Sequence, residues 1–186
     1  MGSSAVIRRC AALLLSATTA VGAQDAGGGD AELERRVKAA FVFNFVKFVT
    51  WPPARAPAPG QPYVLCVVDA DAFARTMSGT VRDKRVEGRP LVVKEIQAGA
   101  TMAECHVAYL GPRDAAATQA VLDAAGQGVL TVHEADAPVP DGVVRFFLQD
   151  RRVRFEVNVP AAARRQLELS SRLLSVAERV ETEDRP

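Results

Sequence analysis

Apolar residues gather most densely between Val37 and Pro53, VKAAFVFNFVKFVTWPP, which holds four of the chain's eight Phe and its only Trp. Leu33, Val37, Ala40, Phe41, Asn44, Phe45 and Phe48 recur at three- and four-residue spacing, which predicts a helix carrying that stripe. Asp30 is its expected N-cap, Glu32 and Glu34 favour its positive end, and Pro52 is its expected stop. Phe41, Phe43 and Phe45 also alternate as a strand would, but Ala39-Ala40 and the charged turn before them decide for a helix. Phe43 and Val46 lie off the stripe, so the helix is apolar nearly all round. Such a helix is either buried in its own domain or partly given to a partner or dimer face.

Five prolines between Pro52 and Pro62 then make a stiff connector. Tyr63–Val68 is continuously apolar, as a strand covered on both faces must be. A short helix is expected at Ala72–Met77, strands at Leu91–Ile96, His106–Leu110 and Val129–Val132, and a helix at Asp114–Ala124 stopped by Gly126 and Gly128. Val143–Leu148 and Arg152–Val159 read as an antiparallel hairpin, with Val153, Phe155, Val157 and Val159 on one face. Ser170, Leu173, Leu174, Ala177 and Val180 predict an amphipathic closing helix. The class is α/β: a mainly parallel sheet with helices on both faces, a C-terminal antiparallel hairpin and a closing helix. One domain over 31–180 is expected, with 181–186 as a tail.

The first residues set the compartment. Arg8 and Arg9 precede an apolar stretch, Cys10–Ala20, and Val21-Gly22-Ala23 fits a small-x-small cleavage site. Residues 1–23 therefore read as a signal peptide, followed by a small, flexible lead-in at 24–30. The apolar run is shorter than the about 20 residues a membrane span needs. Of 23 basic and 22 acidic residues, cleavage removes two basic ones. A balance near neutrality gives no electrostatic case for nucleic acid or for an anionic membrane surface.

Cleavage leaves Cys66 and Cys105, which in an oxidising compartment are expected to pair; the alternative is two buried thiols that never meet. One lies mid-strand in Tyr63–Val68, the other at the mouth of His106–Leu110. In a doubly wound sheet those strands are often neighbours, which would bring the Cα atoms to about 4.4–6.8 Å. Sheet order and bridge are thus one joint expectation. With only His106 and His133 and no CxxC or HxxxH spacing, nothing points to a metal.

Ligands of open parallel sheets sit beyond the carboxyl ends of the strands. Those ends offer Asp69 and Asp71, Gly111 and Arg113, and His133 and Glu134, a set able to hold a small polar ligand. The plainer reading makes them solvated loop residues and helix caps, Asp71 included. No GxSxG, P-loop, GxGxxG or HExxH occurs, and adjacent strand residues such as His133 and Glu134 point to opposite faces. Catalysis is not indicated, and no cofactor is expected.

Two segments resemble the YfiR-like periplasmic proteins. Lys38, Ala39, Ala40, Phe41, Phe43, Phe45, Lys47, Phe48, Trp51 and Pro52 fit that family's opening helix. Val153 to Asn158, Ala161-Ala162 and Ser170 to Ala177 fit its close, and the Cys66–Cys105 spacing is similar to a bridge of its members. The resemblance implies a periplasmic repressor that binds the sensor portion of an inner-membrane diguanylate cyclase. It further implies sequestration by an outer-membrane OmpA-like lipoprotein, a homodimer, and sensitivity to redox state. Some relatives carry a second bridge near the last hairpin; Pro140–Arg152 here has no cysteine, so a redox response would rest on Cys66 and Cys105 alone. Candidate contact residues are Phe41, Phe43, Phe45, Phe48, Trp51 and Phe155.

Overall fold

The side chains of Tyr63–Val68 are buried throughout, and in the computed structural model, which describes residues 26–183, this strand lies near the middle of the sheet. The stretch expected to be a signal peptide, residues 1–23, lies outside the described residues. In chain order the elements are α1 (Ala26–Phe45), β1 (Val49–Thr50), β2 (Tyr63–Val68), α2 (Asp71–Val81), β3 (Arg85–Val86), β4 (Arg89–Ile96) and β5 (Val107–Arg113). They continue with α3 (Ala115–Asp123), β6 (Leu130–Ala135), β7 (Val144–Gln149), β8 (Arg152–Asn158), α4 (Val159–Arg164), β9 (Glu168–Leu169), α5 (Ser171–Val176) and β10 (Arg179–Glu181).

Eight strands form one sheet in the order β10-β8-β7-β6-β5-β2-β4-β3, and β1 pairs with β9 apart from it. The neighbours from β4 to β7 are parallel; β7 and β8 form the antiparallel hairpin. Alternation along β2 feeds two cores. Tyr63, Leu65 and Val67 join the side of α1 and α2, while Val64, Cys66 and Val68 join the side of α3. Because β2 and β5 are hydrogen-bonded neighbours, Cys66 and Cys105 meet with Cα atoms 5.7 Å apart and form the disulfide. Bridge and strand order are both as expected.

Helix α1 departs from its expected bounds at each end. It begins at Ala26, so the glycines assigned to a lead-in are helical and Asp30 is inside the helix rather than its N-cap. The Asp30 carboxylate reaches Arg151 at 3.2 Å instead of capping. The helix stops at Phe45, before Pro52, because Val49 and Thr50 pair with β9 and the Phe48 carbonyl accepts from Ser170 N at 2.9 Å. The buried face also differs. The core takes Ala39, Val42, Phe43, Phe45 and Val46, whereas Leu33 and Val37 of the expected stripe stay 59% and 36% exposed. A helix apolar all round can bury only one side, and the phenylalanine cluster chose it: Phe45 meets Phe146 and Phe155 at 5.9 and 5.0 Å.

The closing helix is shorter than the periodicity indicates. Ser170 caps α5 by accepting from Leu173 N, and the helix ends at Val176. Val180 lies instead in β10, parallel to β8, where the pairing covers part of that strand's edge. Asp71 is likewise inside the first turn of α2 and not its cap, a position held by Ala70.

The proline connector is pinned by Arg55, whose guanidinium donates to the Cys105 carbonyl at 2.6 Å and to that of Ala103. Gly128 has φ +67°, and a Cβ there would come within 2.5 Å of Arg55 Cγ. Only glycine fits both the backbone and the space.

Candidate functional site

The residues that sequence reasoning offered as contacts are mostly interior. Phe43, Phe45, Trp51 and Phe155 are buried, and Phe41 and Phe48 are half-buried. The Trp51 indole N–H donates to the His106 carbonyl at 3.2 Å. Phe43 is roofed by the ammonium groups of Lys47 and Lys84, 4.2 and 4.6 Å from its ring centre.

What the core leaves open is the other edge of α1. Leu33, Val37 and Phe41 stand along it, and Leu148 and Val153 of the β7–β8 hairpin stand opposite, lining a groove of about 570 Å³. Leu148 is 54% exposed. Asp30 and Glu34 border the helix wall, Arg151 and Arg152 the hairpin wall. Asp150 and Arg151 occupy the hairpin turn at φ +49° and +59°, the geometry of a two-residue primed turn that aims the arginines outward.

A second cleft, of about 360 Å³, lies at the carboxyl ends of the strands. Here β2 and β5 are neighbours whose following helices, α2 and α3, pack on opposite faces, so the connection reverses between them. This is the topological switch point where open α/β sheets bind ligands. Asp69, Asp71 and Glu134 line the cleft as proposed from sequence. Lys38 and Tyr109 line it too and were not foreseen. The buried Lys38 ammonium bridges Glu134, at 2.5 Å, and Glu34, while Tyr109 donates to the other Glu134 oxygen. Burial raises the Glu134 pKa, and the hydrogen bond and charge of Lys38 oppose the rise. Stabilisation from that shift is present at low pH and lost as pH rises through the folded value. Arg113 is drawn inward, donating to Val68 O at 3.2 Å and pairing with Asp69 at 3.7 Å.

His133 parts from this set. Its strand neighbour Glu134 faces α1, so the imidazole faces the other way, into a cavity of about 260 Å³ with Gly142, Arg145 and Glu156. Arg145 and Glu156 pair at 2.7 Å. Burial, then the charge of Arg145, holds the His133 pKa down to about 4, with Glu156 opposing. The folded ring stays neutral where the unfolded one, near pH 6.5, gains a proton. Its stabilisation is therefore complete above pH 6.5 and drains as pH falls towards 4, by about 3 kcal/mol. Urea unfolding of the wild type across that window should lose more stability than that of His133→Asn, the difference being the about 3 kcal/mol that His133 contributes.

Gly142 packs against the same ring. A Cβ there would lie 2.2 Å from His133 Nε2 and 2.9 Å from Val139 Cγ2. Gly142→Ala is expected to lose about 2 kcal/mol or more, read as a fall in melting temperature, because neither buried neighbour can yield cheaply.

The fold is α/β, with an apolar groove open to solvent between α1 and the β7–β8 hairpin. Among the described residues no helix is long and apolar enough to cross a membrane. The chain belongs to the YfiR/HmsC-like family, whose model matches residues 35–178. That family is regulatory rather than catalytic and is known for periplasmic regulation of diguanylate cyclase. No match to this chain was found among curated proteins.

Proposed function

We propose that this protein is a periplasmic repressor that binds the sensor portion of an inner-membrane diguanylate cyclase and lowers its cyclic-di-GMP output. Family membership over residues 35–178 carries the reading, and the open groove between α1 and the hairpin supplies a surface suited to it. The interior phenylalanines hold up the walls of that groove, Phe41 most directly, through Phe155 at 5.3 Å and Phe146 at 6.0 Å. Binding shifts the cyclase only by its difference in affinity for the active and inactive states. An OmpA-like outer-membrane lipoprotein competing for the repressor would release the enzyme, and the repressor acts as a homodimer.

The test is recovery of membrane proteins by tagged Gln24–Pro186, with and without reductant. A diguanylate cyclase with a periplasmic domain is the expected partner; recovery of no membrane protein in either condition contradicts the proposal. Leu33→Glu with Leu148→Glu should abolish recovery while leaving the melting temperature within about 1 °C, since both side chains already face water.

The switch-point cleft favours a second reading, a small-ligand sensor, because it brings Asp69, Asp71 and Glu134 around one space. That reading requires ligand-dependent melting shifts that Asp69→Ala abolishes.

A further inference from the structure

Four strands carry one row of polar side chains across the face of the sheet opposite α1. His133 of β6 is in register with Arg145 of β7, Arg145 with Glu156 of β8, and Glu156 with Arg179 of β10. Register neighbours share a face, and the wall above this row is the loop carrying Pro138, Val139 and Gly142. Between them lies the cavity of about 260 Å³. Drug-sized sites run from about 300 to 1,000 Å³, so an occupant here is small.

The cavity holds unspent donors. Ala135 N donates to His133 Nδ1 at 3.3 Å, so the neutral ring carries its proton on Nε2. That N–H has no acceptor among the described residues, although His133 is only 1% exposed. A buried N–H is rarely left so. Gly142 keeps it uncovered: the φ of this glycine is outside the left-handed region, yet a Cβ would lie 2.2 Å from Nε2. Arg145 gives Nε to Glu156 at 2.7 Å, and its two terminal nitrogens donate to nothing else among the described residues. Phe147 flanks both arginines, with the guanidinium carbons of Arg145 and Arg179 at 5.3 and 5.5 Å from its ring centre. Arg179, 3.9 Å from Glu156 and mostly exposed, stands at the mouth.

We infer that this cavity binds a small organic monocarboxylate. The carboxylate takes the His133 Nε2–H and the open end of the Arg145 fork, and a short apolar body lies against Val139 and Val180. A guanidinium presents paired donors to a planar carboxylate. The Arg145 charge holds the imidazole pKa down, and an anion between the two removes that conflict. Glu156 and Glu181 also line the cavity and disfavour a doubly charged oxyanion such as phosphate. The site is separate from the groove and from the switch-point cleft, and the inference goes beyond the repressor reading.

Long-range proton–nitrogen spectra of the chain's two histidines test this, recorded at pH 7 as butyrate or benzoate is added to Gln24–Pro186. His133 Nε2 is expected to shift saturably, while His106, whose Nδ1 accepts from Val64 N, stays in place. Butylammonium, with the same body and opposite charge, and inorganic phosphate are expected to move neither. In calorimetry His133→Leu, which removes the donor, should weaken butyrate about tenfold or more. Arg179→Gln, a change to an exposed side chain, should weaken it about threefold. If His133→Leu does not fold, Arg179→Gln and the wild-type spectra still decide. Overturning results are an unmoved His133 signal, equal shifts of both histidines, or a response to butylammonium or phosphate that matches butyrate. Unchanged affinity in folded His133→Leu overturns it too. None of these outcomes bears on recovery of a cyclase, so the repressor reading stands or falls separately.

Discussion

Replacing Arg165 with methionine is expected to lower the unfolding free energy by about 4 kcal/mol, near one for each carbonyl it serves. Arg165 follows α4, and its guanidinium is buried where α3 ends. It donates to the carbonyls of Leu122 at 3.2 Å, Ala125 at 2.8 Å, Gly126 at 3.3 Å and Asp141 at 3.3 Å. Its own carbonyl accepts from Gly128 N at 2.8 Å. One side chain thus closes the end of α3, the turn before β6 and the loop before β7. A cation at a helix C-terminus also meets the negative end of the helix dipole. Methionine fills similar volume but donates nothing, leaving acceptors buried without partners. Lysine keeps the charge and loses the planar fork, so Arg165→Lys should recover less than half of the loss. Urea unfolding with an unchanged slope and a lowered midpoint is the expected record. A loss below about 1 kcal/mol would show that water takes over the carbonyls.

The second large effect is that of the disulfide. Cys66 and Cys105 are 1% and 2% exposed, packed with Met102, Leu110 and Leu122 on the α3 side of the sheet. The bridge closes a sequence separation of 39 residues, which the chain-entropy account values at about 4 kcal/mol. The double change Cys66→Ala with Cys105→Ala should therefore destabilise by an amount in that range. Burial adds a kinetic expectation. A thiolate must reach a sulfur along the bond axis, and no such approach exists while β2 and β5 are paired. Reduction by dithiothreitol should run at the rate of local or global opening and level off as reductant is raised. A rate that keeps rising in proportion to reductant would contradict the buried placement. With no second bridge near the hairpin, redox control here would operate through stability and not through a surface switch.

The longer strands and the pairing of β2 with β5 were legible because β2 is a continuous apolar run and because the two cysteines tie it to β5. The hairpin was legible because Val153, Phe155 and Val157 alternate with charged residues. Helix α1 was recognisable as a helix, but its buried face was not. Its apolar residues surround it, and the choice of Val42 and Phe45 over Leu33 and Val37 depends on phenylalanines of β7 and β8 far along the chain. The difference is informative, since Leu33, Val37 and Phe41 of the expected stripe line the groove while Phe45 of the same stripe is in the core. Elements of two or three residues, β1, β3, β9 and β10, have no periodicity to read; their pairing is decided by what lies beside them. Val180 shows this, fitting a helical stripe yet lying in a strand.

Of the proposed ligand set, Asp69, Asp71 and Glu134 converge, while His133 is turned away by strand alternation. The place of Lys38 in the cleft was not legible, because a lysine between Val37 and Ala39 says nothing of burial, and only the carboxylates of Glu34 and Glu134 explain it. Arg165 escaped for the same reason. In Ala-Arg-Arg-Gln nothing separates it from Arg164, which stays exposed.

The most direct measurement of the central claim is intracellular cyclic-di-GMP in the native host. It would be compared with the chain deleted, restored, and restored as Leu33→Glu with Leu148→Glu. The account predicts a rise on deletion, a return with the wild-type chain, and no return with the groove variant at equal periplasmic amount. Cyclic-di-GMP that does not change when the chain is removed would contradict it.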